Sequence, residues 1–335
     1  MFIRLFCICA GWLLWSACGG SVVQPLQKHY TISVRDLRGK TVQLETPARR
    51  VVCLFNGSFD ALYMLGAETG IVGIPANIYT DPEYYEAYAK IDERIRRKQI
   101  AAPGSWQASN IETIAALHPD LVIISAGQAD AIDMLESIGI TVYAVASETY
   151  EQIYKETLDI GNLTGTGARA AQIVNYSKAE FAKIQQYTNN IRPKKKVYYA
   201  WSGGRILSTS GTGSMINSFI ELAGAVNVCR SPVDQPNVNA ETLLHWNPDL
   251  IVLWGSKPVD VYAMTELTSL KAVRNRMVKS MEPAFFYNTH TLKILYASVA
   301  LSHWCYGAYN DRELEADKRD IILHLYGERG LKLLL

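Results

Sequence analysis

The chain has 335 residues, 49% of them apolar, with 33 Lys plus Arg against 32 Asp plus Glu. That supplies enough apolar surface for one large core or two medium ones. A net charge of +1 offers no broad basic face, so nucleic acid is not an expected partner.

The amino terminus has the layout of an export signal: Arg4, an apolar run from Leu5 to Trp15, then Ser16 and Ala17 before Cys18 and Gly19-Gly20. The run is too short for a spanning helix, which takes about 20 residues. Residues 1–17 therefore read as a signal peptide. The Ser-Ala-Cys ending resembles a lipobox, although Trp15 stands where that motif usually has Leu. An ordinary signal cleaved near Ala17 is the other reading. A lipid on Cys18 would hold the exported protein on a bacterial membrane, facing the periplasm or the exterior, with no spanning helix. Residues 18–29 would then be a tether. Cys53, Cys229 and Cys305 are widely spaced in apolar surroundings, which fits buried thiols rather than a disulfide framework or zinc site.

Tyr30 to Val34 and Thr41 to Leu44 alternate as a strand pair around Arg38-Gly39-Lys40. Arg50 to Phe55 is a continuous apolar strand, which Asn56-Gly57-Ser58 breaks before a helix from Phe59 to Leu65, closed by Gly66. Ile71 to Ile74 is the next strand. The tyrosines at 79, 84, 85 and 88 mark either a lid or an amphipathic surface helix. Leu121 to Ile124 and Thr141 to Val145 are further strands, each followed by a helix. Continuous apolar strands alternating with helices imply mainly parallel sheets covered on both faces, an α/β fold. Thr166 to Asn190 is a long helix with Ala170, Ile173, Phe181 and Ile184 apolar, and Pro193-Lys194-Lys195-Lys196 reads as a solvated loop. Val197 to Trp201, the turn Ser202-Gly203-Gly204 and a helix from Asn217 to Leu222 restart the pattern.

One element is duplicated. Asn110 to Ile123 is echoed by Asn239 to Val252, with Asn, Glu, Thr, Pro, Asp and Leu coinciding without a gap. Each copy reads as an N-cap Asn, a short helix, a Pro-Asp turn and a buried strand. Two like lobes follow, and ligand sites in such sheets lie beyond the carboxyl ends of the strands.

The ordered set of Val34 to Val42, Ala48 to Val52, both repeats and Glu221 to Val228 resembles the class III periplasmic binding proteins of the cobalamin, ferric-siderophore and haem type. The likeness runs from Tyr30 to about Tyr309, including a closing helix over Thr289 to Trp304; beyond it Asn310-Asp311-Arg312 and a charged helix replace the usual tail. It implies an N-terminal lobe at 30–160, a linking helix at 161–191 that allows small hinge motion, and a C-terminal lobe at 192–335. It further implies a monomeric substrate-binding protein of an ABC importer, delivering a metal-chelate ligand to a permease dimer with its ATPase. Glu112 and Glu241 are first-turn acids favoured by the helix dipole. The resemblance gives them a second role, docking on arginines of the two permease subunits.

Strand-end loops nominate Asn56, Tyr79, Trp106, Trp201, Arg205, Trp254 and Tyr287 as ligand contacts, aromatic faces for a flat macrocycle and Arg205 or Lys293 for its acidic groups. A Tyr phenolate could also ligate haem iron. His118 and His245 sit at helix ends, where capping explains them. His290 and His303 are better placed but lack metal-ligand spacing, so no bare metal site and no resident cofactor are expected. No nucleophile–base pair, phosphate loop or Cys cluster supports an enzyme. A haem or iron scavenger without a permease, and a molybdate or tungstate binder, remain alternatives.

Overall fold

The computed structural model describes residues 31–201, 205–307 and 311–335; the signal, Cys18, the tether and Ser202-Gly203-Gly204 lie outside the described residues. The chain enters through the antiparallel pair β1 (Ile32–Arg35) and β2 (Thr41–Leu44), with Ile32 opposite Leu44. Asp36 folds the turn by accepting from the amides of Arg38 and Lys40, and Gly39 takes the left-handed φ of 79° that the turn requires.

Five parallel strands follow: β3 (Val51–Cys53), β4 (Ile71–Pro75), β5 (Ala101–Gly104), β6 (Leu121–Ser125) and β7 (Val142–Val145), in the order β5-β4-β3-β6-β7. The second sheet holds β8 (Lys196–Ala200), β9 (Val226–Asn227), β10 (Leu250–Leu253) and β11 (Val278–Ser280), in the order β11-β10-β8-β9. Read from β4, the first sheet runs β4-β3-β6-β7 and the second β9-β8-β10-β11. Both halves therefore share one winding.

Side chains alternate between two packed layers, as the pleat demands. Val51 and Cys53 point into a central cluster while Val52 and Leu54 point into an outer one; Val197 and Tyr199 join the same central cluster, and Tyr198 and Ala200 a third. One apolar core thus runs through both lobes, with a smaller core on the outer face of each.

The repeats occupy equivalent places. Asn110 Oδ1 accepts from Thr113 N at 2.8 Å, and Asn239 Oδ1 from Thr242 N at 2.8 Å. Each short helix ends in a left-handed residue before Pro, His118 with φ 45° and Asn247 with φ 44°. The shared Asp does more than turn the chain. Asp120 Oδ2 accepts from the amides of Arg49 and Arg50, at the start of β3, and Asp249 Oδ2 from that of Lys196, at the start of β8. Arg50 and Lys196 in turn donate to the final helix carbonyls, Leu117 and Trp246. Each repeat thereby locks its strand beside the neighbouring one. Glu112 and Glu241, two residues after the caps, are exposed.

Three boundaries differ from the sequence expectation. The first long helix is Asn56–Leu65, so the Asn-Gly-Ser triplet forms its first turn, with Phe59 N bonded to Phe55 O. The long helix expected over Thr166 to Asn190 is Gly167–Thr188, and residues 161–164 of the 161–191 range belong instead to the preceding helix, Tyr150–Thr164, separated from it where Gly165 turns left-handed at φ 75°. Helix Gly167–Thr188 carries the Ala170, Ile173, Phe181 and Ile184 stripe. The closing helix is Ile294–Tyr306, and the charged helix Asp311–Tyr326 follows it, ending in the turn Glu328–Leu334. Residues 311–335, expected within the C-terminal lobe, also pack on Asn56–Leu65 and Pro82–Ile91 of the N-terminal lobe. The apolar stripe of Leu314, Ile321, Ile322 and Leu325 buries there in the central cluster.

Candidate functional site

A cavity of about 460 Å³ opens beyond the carboxyl ends of the first sheet. Phe55, Asn56 and Gly57 follow β3, Trp106 follows β5, Ser125 ends β6 with Ala126 and Gly127 after it, and Ala146 and Glu148 follow β7; Asn288 and His290 close it from the other half of the chain. Strand-end geometry dictates this arrangement, because parallel strands release all their loops on one edge.

The walls are braced from behind. Gln128 donates to the carbonyl of Ser105 at 2.9 Å and accepts from Ser109, fixing the loop that carries Trp106, itself 53% exposed. Buried Glu156 accepts from the amides of Ala146 at 3.1 Å and Ser147 at 3.0 Å, holding the strand β7 exit with Ser147 at φ 51°. Burial pushes the Glu156 carboxyl up, against those hydrogen bonds and that of the Ser147 hydroxyl. The Ser147 carbonyl then lies 3.1 Å from His290 Nδ1. A carbonyl only accepts, so Nδ1 carries the proton, and the neutral tautomer that fits this contact has its lone pair on Nε2. Asn288 Oδ1 accepts from His290 N at 2.9 Å while its Nδ2 donates to Tyr84 Oη at 2.8 Å. Asn56 Oδ1 is buried without a donor among the described residues.

Of the nominated ligand contacts, the structure brings Asn56 and Trp106 together on this cavity. Trp201 and Trp254 are half-buried against the central cluster, Trp201 Nε1 donating to the Thr209 carbonyl at 3.1 Å and to Ser210 Oγ at 3.0 Å; Arg205 is exposed. None of the three lines it. Tyr79 is taken up elsewhere, its hydroxyl donating to the Ile100 carbonyl at 3.1 Å, and Tyr287 is buried, with its ring stacked on Trp304. Both face core partners rather than the cavity. Lys293 is fully buried against Asp60 and cannot meet a ligand acid from the cavity. The 79–88 segment is split between the short helix Asn77–Thr80, which carries Tyr79, and helix Pro82–Ile91, which carries Tyr84, Tyr85 and Tyr88, the last buried against Phe59 and Phe285. Phe55, Ser125 to Gly127 and Glu148 were not nominated, although the strand-end rule that found Asn56 applies equally after β6 and β7. Cys53, Cys229 and Cys305 are free and buried, and burial pushes the thiols of Cys53 and Cys305 up to about 12.

The family model described as periplasmic binding protein matches residues 51–284. This chain is a member of that family. Among its relatives, this binding protein is 24% identical over 262 residues to the uncharacterized ABC transporter substrate-binding lipoprotein YvrC of Bacillus subtilis, a match covering 76% of this chain and 79% of that one. It is 32% identical over 162 residues to the vitamin B12-binding protein of Salmonella typhi, covering 47% of this chain and 60% of that protein. Among solved structures, a periplasmic solute binding protein of Veillonella parvula superposes with a TM-score of 0.74 at 20% identity, over 90% of this chain and 96% of that one. That likeness establishes the fold. No helix among the described residues is long and apolar enough to cross a membrane.

Proposed function

We propose that this binding protein is the extracytoplasmic substrate-binding lipoprotein of an ABC importer, anchored through Cys18. It captures a metal-containing ligand, a ferric siderophore, haem or cobalamin, and presents it to a permease dimer through Glu112 and Glu241. The observation that carries the reading is the cavity at the strand ends of one lobe, closed by Asn288 and His290 of the other. Its volume suits a small-molecule site. Two of its relatives, a substrate-binding lipoprotein and a vitamin B12-binding protein, support it.

The wall chemistry favours a large complex with an apolar face over a small bare oxyanion, since no Lys or Arg is among the described lining residues. Trp106 offers an exposed ring face, Asn56 Oδ1 and His290 Nε2 offer lone pairs, and Glu148 is the charged side chain among the lining residues. Trp201, Arg205 and Trp254 remain proposed contacts for the parts of a large ligand that extend beyond this cavity. Absorption spectra and elemental analysis of the purified protein test the reading. A visible metal chromophore at one per chain supports it, and a colourless molybdate or tungstate load would replace it with the oxyanion alternative.

A further inference from the structure

Beyond the closing helix the chain turns back across the molecule. Arg169 of the linking helix donates Nη2 to the carbonyls of His324 at 2.6 Å and Leu325 at 2.9 Å, and Arg329 reaches the Tyr63 carbonyl and the Glu68 carboxylate of the N-terminal lobe. Between these ties Tyr326 is buried, with its hydroxyl donating to Asp60 Oδ1.

Asp60 is a node for four segments. It lies on helix Asn56–Leu65 and is 1% exposed. Tyr88 of helix Pro82–Ile91 donates to Oδ1 at 2.7 Å, Tyr326 donates to the same oxygen from the tail, and Lys293 Nζ, just before the closing helix, lies 3.0 Å from Oδ2. The Lys293 contact is an ion pair at this distance without hydrogen-bond alignment, and the ammonium also lies 3.5 Å from the Phe285 ring centre. Burial lowers the Lys293 pKa and the Asp60 charge opposes that, while burial and the same charge push the phenols of Tyr88 and Tyr326 well above their usual value. Removing one partner from such a set leaves buried charge uncompensated, so the remaining groups must move or draw in water.

The node sits directly behind the cavity. Asp60 is one helical turn from Asn56 and Gly57, and Lys293 is three residues beyond His290. Gly57 shows how close the two walls come: a Cβ there would lie 2.6 Å from the His290 carbonyl oxygen. We infer that Tyr326 is a positioning residue of the ligand site: by satisfying Asp60 from the tail, it fixes the separation of Asn56 and Gly57 from Asn288 and His290. This rests on the cavity being the ligand site, as proposed above. The carboxyl-terminal segment is then a strap that sets how far the lobes open.

The test compares the full-length protein with Tyr326→Phe and with Tyr63→Phe. Tyr63 donates to Asp92 Oδ2 at 2.7 Å, a bond of the same kind confined to the N-terminal lobe. Spin labels on Asp130→Cys and Glu266→Cys, exposed positions on opposite lobes, report the inter-lobe distance without any ligand. Tyr326→Phe should lengthen or broaden the distance distribution, and Tyr63→Phe should leave it as in the parent. Binding of haemin and of cyanocobalamin, followed by tryptophan emission, should weaken about three- to tenfold in Tyr326→Phe for whichever probe the parent binds, and stay unchanged in Tyr63→Phe. Should Tyr326→Phe not fold, Arg329→Gln loosens the same strap and carries the same expectation. Identical distance distributions in all the variants would overturn the strap. A changed distribution in a protein that binds neither probe would uphold the strap and remove haem and cobalamin as the ligand.

Discussion

Gly57 has no room for a side chain, since the nearest atom to its would-be Cβ is the backbone carbonyl oxygen of His290 rather than a movable side-chain end. Gly57→Ala should therefore destabilise the protein by about 1–3 kcal/mol, as over-packing does, and also weaken ligand binding; thermal denaturation and a binding titration read the two effects separately. Titration at other residues has opposing signs. Burial raises the Asp92 carboxyl, but Arg94 and Tyr63 outweigh it and hold the group below its usual value; Lys40 and Arg38 do the same for Glu136 against its own burial. These two contribute stability above the unfolded carboxylate range, about pH 4, and lose it as pH falls through their lowered values. Glu156 runs the other way, favouring the folded state less as pH rises through its raised value. Denaturation midpoints should hold near neutrality and fall steeply below about pH 4, and Asp92→Asn should blunt that fall. At this scale the sequence distinguishes poorly between aromatic wall and aromatic core. Trp106 and Tyr287 both follow apolar runs, yet one is exposed at a loop and the other stacks under Trp304, because only the tertiary fold decides which face a ring turns to.

The repeated Asn-x-Glu-Thr…Pro-Asp-Leu element was legible because a cap, a helix stop and a buried strand each leave a local mark. The Asp clamp on the neighbouring strand was not, since Asp120 bonds Arg49 and Arg50 across some seventy residues of chain. Asn239→Ala should cost about 1 kcal/mol through loss of the N-cap, visible as a lower denaturant midpoint. The exposed acids in the same two helices are a different matter. Exchanging Glu112 and Glu241 together for Ala should leave ligand affinity nearly unchanged and strongly reduce uptake in cells expressing the permease; unchanged uptake, or lost ligand binding in solution, would reduce them to first-turn helix acids.

At the scale of the molecule, the two lobes and the long helix between them follow from alternation of apolar strands and helices along the chain. Where the tail goes does not, because a charged helix with apolar residues at 314, 321, 322 and 325 carries no address for the surface it covers. Its destination is fixed by Asp60 and Glu68, far away in sequence. The proposed anchor would act on the whole molecule too: Cys18→Ala should release the processed protein from the membrane fraction, and retention after cleavage would exclude lipidation there. The central claim, one ligand held between the lobes at the strand ends, is tested most directly by titrating the parent and the Trp106→Ala, His290→Ala double variant with the metal complex recovered from the purified protein. One site per chain in the parent, with quenched tryptophan emission and affinity lost in the double variant, is the predicted result. Two sites, or equal affinity in both proteins, would contradict it.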